Sequence, residues 1–424
     1  MVKNLRENIK KLINEIGYKA KSAQNEIRQI STNQKNDALN ISAENILNNQ
    51  DAILSTNLDD IKFAKNKGIK SSLIKRLELD EKKIKSITSS LFSVAKLPDP
   101  VGRIIDSNKM PNGLSVKKIS VPIGVIGIIY ESRPNVTADA ASLCLKSGNI
   151  SILKSGSESF NTSQKILENL KSALKKTNIN EHAIQIIPTI QREAVTELLK
   201  LDKYIDVIIP RGGKGLIEKI NSETKIPVIS HLDGNCHTYV HKDADINKSL
   251  NLILNAKFRN TSICGATESL IIDKSILSSH LPLIIEKLFG QECKIFADKI
   301  CKDLDDRVML ASEDDWHTEY LDSKISIKSV DNIDEAIKHI QKYGSGHTDC
   351  IITEDKNAAD KFFNHVDSAI VMHNTSTQFA DGGEFGLGSE IGISTNRLHA
   401  RGPVGLNELT TYKWIVESNG QTRD

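Results

Sequence analysis

Residues 125–136, VIGIIYESRPNV, decide the fold that the sequence predicts. The apolar run at 125–130 has the length and composition of a buried strand, and the polar loop behind it leads into a helix expected at about 136–147. Short apolar strands that alternate with helices form parallel sheets covered on both faces. Because such sheets bind ligands at the carboxyl ends of their strands, we expect function in the loops that follow strands.

The same alternation continues along the chain in two blocks. The first block predicts further strands at 150–154, 184–188, 206–210 and 226–230, with helices at about 161–176, 191–201 and 214–221. The second block predicts strands at 268–273, 293–297, 324–330, 349–353 and 368–374, with helices at 245–258, 276–289, 332–342 and 356–364. Helical spacing also covers the residues before about 98. Two blocks of this kind predict two parallel-sheet domains.

The last strand-like segment, LTTYKWIV at 409–416, lies far in sequence from any neighbour that it could join. A strand needs a pairing partner, because its unpaired N–H and C=O groups otherwise stay open to association. The β-branched segment at 114–121 is one candidate partner, and a strand of another subunit is the other. Either pairing predicts a small β-arm, and the arm favours a homo-oligomer.

Composition excludes several classes of protein. With 56 basic and 54 acidic residues and no long run of like charge, the chain has no electrostatic footprint for nucleic acid. The longest apolar run, at 121–130, contains two glycines and a proline, which argues against a membrane span. Six cysteines form no C-x-x-C pair, so free thiols and a cytoplasmic location are expected.

One cysteine stands at a corner of the second block, within NAKFRNTSICGATESLII at 255–272. A helix capped by Asp245 leads in, a buried strand leads out, and small neighbours leave room for a substrate at Cys264. An isolated intracellular cysteine is more often a buried core residue than a nucleophile. If Cys264 is a nucleophile its thiol pKa must be depressed, for which Lys257, Arg259 or a helix terminus would be the sources.

Two loops of the first block have features of a nucleotide site. The turn PRGGKG at 210–215 exposes backbone N–H groups at a helix start, where a phosphate is favoured, although a plain tight turn fits equally well. Lys154 ends a strand and could reach a ribose or a 2′-phosphate, or stay an exposed lysine. The spacing of His231, His237 and His241 matches no metal motif, so no metal is predicted.

Taken in order, these loops resemble the aldehyde dehydrogenase superfamily and, within it, the family that reduces L-glutamyl 5-phosphate. The resemblance runs from about residue 95 to 417. It is carried by VIGIIYESRPNVT (125–137), LCLKSGN (143–149), IPRGG (209–213), HLDG (231–234), IC (263–264) with Glu268, YGSGHTD (343–349), GLGSEIGIS (386–394), HARGP (399–403) and Trp414. It implies an aldehyde-dehydrogenase-like α/β fold with two Rossmann-like parallel-sheet domains and a small β-arm for oligomerisation.

On this resemblance each segment has an expected role. Residues 1–110 and 125–236, with part of 375–408, would form the cofactor-binding domain. Residues 111–124 and 409–420 would form the oligomerisation arm, and 237–374 the catalytic domain with the nucleophile.

The resemblance implies NADPH-dependent reduction of L-glutamyl 5-phosphate to L-glutamate 5-semialdehyde and phosphate, a step of proline biosynthesis. Cys264 would attack the acyl phosphate, and the resulting thioester would accept hydride at its carbonyl carbon. The Cys264 N–H and the Asn135 side chain would stabilise the oxyanion. For NADPH, the resemblance places Lys154 near the adenosine ribose. It places Gly212 and Gly213 at the pyrophosphate.

The remaining implied residues concern the nicotinamide side and the substrate. Glu319 would contact the nicotinamide ribose. The α-carboxylate of the substrate calls for a bidentate arginine, and Arg133, Arg397 and Arg401 are equal candidates. His231 stands where oxidising relatives carry a glutamate that activates water, and a reductase gains by excluding water that would destroy the thioester. The other interpretation of His231 is that it is simply a polar residue that caps a strand end.

Two alternative functions stay open. The chain could be an oxidising aldehyde dehydrogenase for another substrate, against which His231 argues. It could also be a catalytically silent relative that serves as a scaffold, against which Cys264 and its flanking loops argue. Besides its small-molecule substrate, the proposed enzyme has one further candidate partner, a glutamate 5-kinase that hands over the labile acyl phosphate.

Overall fold

The computed structural model describes residues 2–423. Met1, the first residue of the predicted cofactor-binding domain, lies outside the described part, as does Asp424. The described residues form two compact units. Unit 1 contains the chain up to Ser230, residues 386–392 and the chain from Val404 onward, and unit 2 contains His231–Phe385 and Ile393–Pro403.

The helices and strands are as follows. The helices are α1 (Val2–Ile27), α2 (Thr32–Asn48), α3 (Gln50–Asn66), α4 (Ser71–Leu77), α5 (Glu81–Lys96), α6 (Val136–Lys146), α7 (Phe160–Lys176), α8 (Glu193–Leu198), α9 (Lys214–Glu223), α10 (Ile246–Phe258), α11 (Leu277–Phe289), α12 (Lys299–Lys302), α13 (Glu313–Trp316), α14 (Ile333–Tyr343) and α15 (Lys356–His365). The strands are β1 (Ile104–Lys109), β2 (Ser115–Pro122), β3 (Val125–Tyr130), β4 (Ile150–Ser155), β5 (Ile184–Ile186), β6 (Val207–Arg211), β7 (Cys236–Val240), β8 (Thr267–Asp273), β9 (Lys294–Ala297), β10 (Met309–Leu310), β11 (Lys324–Val330), β12 (Thr348–Ile352), β13 (Ile370–His373), β14 (Ile393–Ser394), β15 (Gly402–Pro403) and β16 (Thr410–Glu417).

Unit 1 is built on a four-stranded parallel sheet in the order β5-β4-β3-β6. Every residue of β3 and β4 is buried, as expected for strands covered by helices on both faces. The predicted strand at 226–230 is wrong: only Val228 bridges to Ile208. The reason is that Pro227 has no N–H group, so it cannot donate a hydrogen bond to a neighbouring strand. Its carbonyl accepts from the Ile208 N–H.

Unit 1 also carries a three-stranded antiparallel sheet in the order β1-β2-β16. The terminal strand β16 pairs with β2 from Thr410 opposite Pro122 to Glu417 opposite Ser115. Of the two partners that the sequence allowed, the one in the same chain is therefore observed. Strand β1 was not predicted, and it gives the sheet its third strand.

Unit 2 is built on a seven-stranded parallel sheet in the order β10-β9-β11-β8-β7-β12-β13. Two parallel sheets with helices confirm the predicted α/β class. Strand β7 was missed, because its polar residues hide the apolar pattern of a buried strand. Its His237 is fully buried, and its backbone N–H and Nδ1 both contact Asp349 Oδ1 of the neighbouring strand.

The segment 231–236, assigned from sequence to the first domain, lies in unit 2. The Asn235 side-chain amide ties it there, since it donates to the carbonyls of Trp316 and Tyr343, at 2.8 Å each. Between residues 2 and 423, no helix has both the length and the apolar composition that a bilayer crossing needs.

Candidate active site

Cys264 lies in the turn between α10 and β8. The predicted cap of α10 is confirmed, since the Asp245 side chain accepts from the Lys248 N–H at 2.8 Å. The approach of Gly234 also fixes the position of Cys264. A Cβ atom built on Gly234 would stand 2.2 Å from the Cys264 carbonyl oxygen and 2.6 Å from its Cα, so no larger residue fits. The HLDG segment (231–234) therefore packs against the backbone of Cys264 at Gly234.

Two histidines flank the thiol. A ring nitrogen of His231, a ring nitrogen of His347 and the Cys264 sulfur all lie within 4.8 Å of one another. The two imidazole rings meet edge to face, with centroids 5.1 Å apart. His231 Nδ1 is 2.7 Å from the Ile393 carbonyl, and His347 Nδ1 is 2.9 Å from Thr348 Oγ1.

These histidines lower the pKa of the Cys264 thiol. Burial alone would raise the pKa of the Cys264 thiol, but the positive charges and hydrogen bonds of His347 and His231 hold that pKa well below its ordinary value. Lys257, one source expected from sequence, instead donates to the buried Glu268 carboxylate. Burial raises the pKa of Glu268 to about 7 in spite of that partner.

The other five cysteines differ from Cys264 in burial and in acidity. All six are free thiols, and Cys264 alone is partly exposed. Burial raises the thiol pKa of each of the others, to about 12 for Cys293 and Cys350. Burial also raises the thiol pKa of Cys144, Cys236 and Cys301. Cys264 is therefore the one cysteine whose surroundings favour the thiolate.

The candidate active-site residues lie at the amino-terminal edge of the unit 2 sheet. His231 precedes β7, Cys264 precedes β8, and His347 precedes β12, which are three neighbouring parallel strands. The general rule for parallel sheets predicts function at the carboxyl ends of strands, although the sequence itself places Cys264 ahead of a strand. His347 was therefore missed, although it lies inside the YGSGHTD segment that carried the resemblance.

Glu319 lies near Cys264 within unit 2. Its carboxylate accepts from the Gly234 N–H at 2.9 Å. Burial and the nearby Cys264 raise the pKa of this carboxyl group. The predicted contact of Glu319 with the nicotinamide ribose stays a prediction.

The three candidate arginines occupy two different settings. Arg397 and Arg401 both pair with the carboxylate of Asp367 in unit 2. Two guanidinium groups on one carboxylate keep a net positive charge. Arg133 is in unit 1, in a loop held by the buried Glu158, whose Oε1 accepts from the Ser132 N–H and Oγ at 2.7 Å.

The strand ends of unit 1 surround a cavity of about 370 Å³. Its wall combines apolar side chains with three cationic side chains and two carboxylates: Ile190, Val195 and Leu216; Lys154, Arg192 and Lys219; and Glu131 and Glu158. Such a mixture of apolar surface and a few placed charges is typical of a cofactor pocket.

Lys154 is the buried cation of this cavity. Its ammonium group donates to the Ser155 carbonyl at 2.7 Å. Burial lowers its pKa to about 8, against the opposing effect of the Glu158 charge. The lysine is therefore not the exposed residue that the sequence left as an alternative.

The glycine turn at the start of α9 already holds a carboxylate. Glu131 Oε2 accepts from the Gly213 N–H at 3.0 Å. A Cβ atom on Gly212 would stand 2.5 Å from the same oxygen, so a larger residue here would displace the Glu131 side chain. The N–H group that was predicted to meet a pyrophosphate thus binds an anion in the structure, one that belongs to the chain.

Asn135 has a partner within unit 1. Its side-chain amide donates to Asp139 Oδ2 at 3.0 Å, and burial raises the pKa of Asp139 to about 6. The oxyanion role of Asn135 stays a prediction.

The histidines considered from sequence as a metal group are separated in the structure. His237 pairs with Asp349, and His241 Nδ1 is 2.9 Å from Thr353 Oγ1. Across the described chain, one set of side chains has ligand-like spacing, namely His231, Cys264 and His347. We assign no metal to it, because a cation there would occupy the sulfur lone pair that the predicted attack uses.

Comparisons with known proteins agree on one family. Residues 2–294 match the model of the aldehyde dehydrogenase family. The chain is 48% identical over 412 residues to a γ-glutamyl phosphate reductase of Erythrobacter litoralis, with 97% of each chain covered. It is 48% identical over 419 residues to that of Parvibaculum lavamentivorans, with 99% of each covered. The crystal structure of the Thermotoga maritima γ-glutamyl phosphate reductase superposes with a TM-score of 0.94 at 42% identity, covering 97% of this chain and 100% of that one.

Proposed function

Because the chain belongs to the γ-glutamyl phosphate reductases within the aldehyde dehydrogenase family, we propose that it reduces L-glutamyl 5-phosphate to L-glutamate 5-semialdehyde in proline biosynthesis. The observation that supports this most directly is the contrast among its thiols. Cys264 is the partly exposed cysteine with a depressed pKa, and the other five are buried with raised pKa values.

In the proposed reaction the Cys264 thiolate attacks the acyl carbon, phosphate leaves, and a thioester forms. NADPH, when bound, supplies the hydride that reduces this thioester. The Cys264 N–H and the Asn135 amide are the proposed donors to the oxyanion. His231 stands where oxidising relatives carry a glutamate that activates water, and exclusion of water from the site would protect the thioester from hydrolysis. Collapse of the tetrahedral adduct then returns the thiolate and releases the aldehyde.

The unit 1 cavity supports NADPH as the cofactor. NAD-specific sites commonly present a free carboxylate to the ribose 2′-OH, whereas a 2′-phosphate needs cations. Here both carboxylates of the cavity already have partners, Glu158 with Ser132 and Glu131 with the Gly213 N–H, while three cations also line it: Lys154, Arg192 and Lys219. These three cations would hold the adenosine ribose and its phosphate.

The other residues of the nucleotide site follow from the family. The N–H groups of Gly212 and Gly213 would receive the pyrophosphate once Glu131 has moved aside, and Glu319 would contact the nicotinamide ribose. For the substrate carboxylate, Arg133, Arg397 and Arg401 remain the candidates, with His231 at the phosphate end.

Three further proposals concern the oligomeric state of the enzyme, its location in the cell and its partner. We expect a homo-oligomer that assembles through the arm of β1, β2 and β16, because this sheet exposes an apolar row. A cytoplasmic location is supported by six free thiols. A glutamate 5-kinase would be the donor of the acyl phosphate.

The test is the reverse reaction, the phosphate-dependent reduction of NADP⁺ by glutamate 5-semialdehyde. We expect Cys264→Ala to lower the rate by several orders of magnitude, because the variant has no covalent route. Cys301→Ala, which removes a buried thiol from α12, is the matched control and should keep its activity.

Each contrary outcome points to a different function. Wild-type turnover without phosphate would indicate an oxidising, hydrolytic dehydrogenase. A folded wild-type protein with no turnover of this substrate would indicate a silent scaffold.

A further inference from the structure

We propose that Cys264, His347 and His231 act as one proton-transfer unit, in which the imidazoles take the thiol proton and hand it to the departing phosphate. This inference rests on the proposed function and assigns to His347 a role that the reaction scheme above does not contain. It is carried by the cluster of one sulfur and two ring nitrogens within 4.8 Å.

His347 is the buried member of the pair. It is fully inaccessible, and its Nδ1 faces Thr348 Oγ1 at 2.9 Å and Cys236 Sγ at 3.6 Å. Its Nε2 is buried without an oxygen or nitrogen partner among residues 2–423. A buried polar atom of this kind destabilises the fold unless a partner is supplied. Protonation of the imidazole beside a thiolate supplies one.

His231 is the half-buried member of the pair. A carbonyl oxygen can only accept, so the 2.7 Å contact with Ile393 fixes a proton on His231 Nδ1. Its Nε2 is therefore the atom that gains and loses the second proton. Because His231 is partly exposed and His347 is not, His231 is the member that can reach a substrate phosphate.

The charges around His231 and His347 favour one imidazolium in the pair rather than two. Two imidazolium rings at 5.1 Å would repel each other, whereas one is balanced by the thiolate. The nearby carboxylates already have partners: Glu268 pairs with Lys257, Asp349 with His237, and Glu319 with the Gly234 N–H.

Asp233 and Cys236 complete the titratable groups around the thiol. Asp233 adds negative charge near Glu319, and the Cys236 thiol donates to the Cys264 carbonyl at 3.0 Å. The extra negative charge favours a protonated imidazole in the resting site.

The chemistry balances with one proton per turnover. As the sulfur–carbon bond forms, the carbon–oxygen bond to phosphate breaks, and His231 gives its proton to the leaving oxygen. Both imidazoles are neutral while the thioester exists. After reduction the carbon–sulfur bond breaks and restores the thiolate, and a solvent proton recharges the pair. The net uptake of one proton is the proton that the overall reaction requires.

The first test needs no substrate: it measures the rate of Cys264 alkylation by iodoacetamide against pH, followed by peptide mass spectrometry. In His347→Gln and in His231→Gln we expect the midpoint of the profile to rise by about one pH unit or more, with about tenfold slower alkylation at neutral pH. His365→Gln, an exposed histidine of α15, is the control. Midpoints equal to that of wild type in both variants would overturn the proposal.

A reciprocal measurement covers the case in which His347→Gln does not fold. In Cys264→Ala, histidine NMR should show the pKa of His347 or His231 falling by about one unit or more, since the thiolate that stabilised the imidazolium is gone. Unchanged histidine pKa values would contradict the proposal. Neither experiment depends on turnover, so failure of the proposed function would be seen separately.

The second test isolates proton delivery. In His231→Gln we expect L-glutamyl 5-phosphate reduction to fall by about 100-fold, within the usual contribution of a general acid. Acylation of Cys264 by p-nitrophenyl acetate at a pH above both alkylation midpoints should change only a few-fold, because p-nitrophenolate leaves without a proton. Equal losses in the two reactions would reduce His231 to a positioning residue and contradict the proposed transfer.

Discussion

Lys154 combines burial with a titration near physiological pH. Because burial lowers its pKa to about 8, the ammonium charge is present below that pH and is lost above it. A charge-assisted hydrogen bond contributes about 1.5–3 kcal/mol, or about tenfold or more in affinity. We therefore expect the KM for NADPH to be flat at neutral pH and to rise above about pH 8.

The check is Lys154→Met, with Lys200→Met on the surface as its control. The Lys154 variant should have a KM for NADPH about tenfold higher at neutral pH and should lose the alkaline rise. An alkaline rise that persists in this variant would assign the titration to another group.

The residues of the site were not equally accessible to sequence reasoning. Cys264 could be found because its small neighbours and flanking elements form a local pattern. His347 could not, because its importance depends on β12 lying beside β7, which only the folded sheet establishes. Lys257 was a reasonable expectation, seven residues before the thiol, but the fold directs it to Glu268.

At the scale of elements, the arm has a face that the described chain does not cover. Tyr412, Trp414 and Val416 alternate along β16 and are exposed, with Lys118 over the Tyr412 ring at 3.7 Å. An exposed row of large apolar side chains commonly marks an association surface. This is the observation behind the proposed homo-oligomer.

We expect Trp414→Glu to lower the molar mass in solution while leaving the monomer folded, because a charge cannot be buried at an apolar interface without a partner. Lys413→Glu, at the neighbouring position on the same strand, is the control. Light scattering after size exclusion measures both. A wild-type protein that is monomeric, or a Trp414 variant with unchanged mass, would contradict the interface.

The elements themselves were predicted unevenly, and for physical reasons. Strands with uniform apolar runs, such as β3, appear at the expected residues because burial on both faces imposes that composition. β7 escaped prediction because its polar side chains His237 and Thr238 are buried against partners from neighbouring strands, Asp349 and Thr267, which the sequence pattern does not show. The strand expected at 226–230 failed because the pattern of apolar residues said nothing about the missing N–H of Pro227.

At the scale of the whole molecule, cofactor binding should stabilise the fold by mass action. A ligand at about 100 times its Kd adds about 2.7 kcal/mol to the free energy of unfolding when it binds only the native state. We therefore expect NADPH to raise the Tm of the wild-type protein. Arg192→Glu should reduce that rise, because it places a negative charge in the cavity of unit 1.

Lys200→Glu, which makes the same charge change outside the cavity lining, serves as the control. Thermal unfolding with NADPH and with NADH at equal concentrations measures both the rise and its selectivity. A larger shift with NADH than with NADPH would contradict the assignment of the three cations to the 2′-phosphate.

The uneven burial of the six thiols also determines which cysteine an oxidant can modify. Peroxide reacts with thiolates that it can reach, and the chain presents one such group among six cysteines. Oxidative stress would therefore convert Cys264 to a sulfenic acid while the protein stays folded. Reductants could reverse that first step, but not the sulfinic acid that follows. The acidity that makes the cysteine a good nucleophile thus also makes it the most vulnerable atom of the molecule.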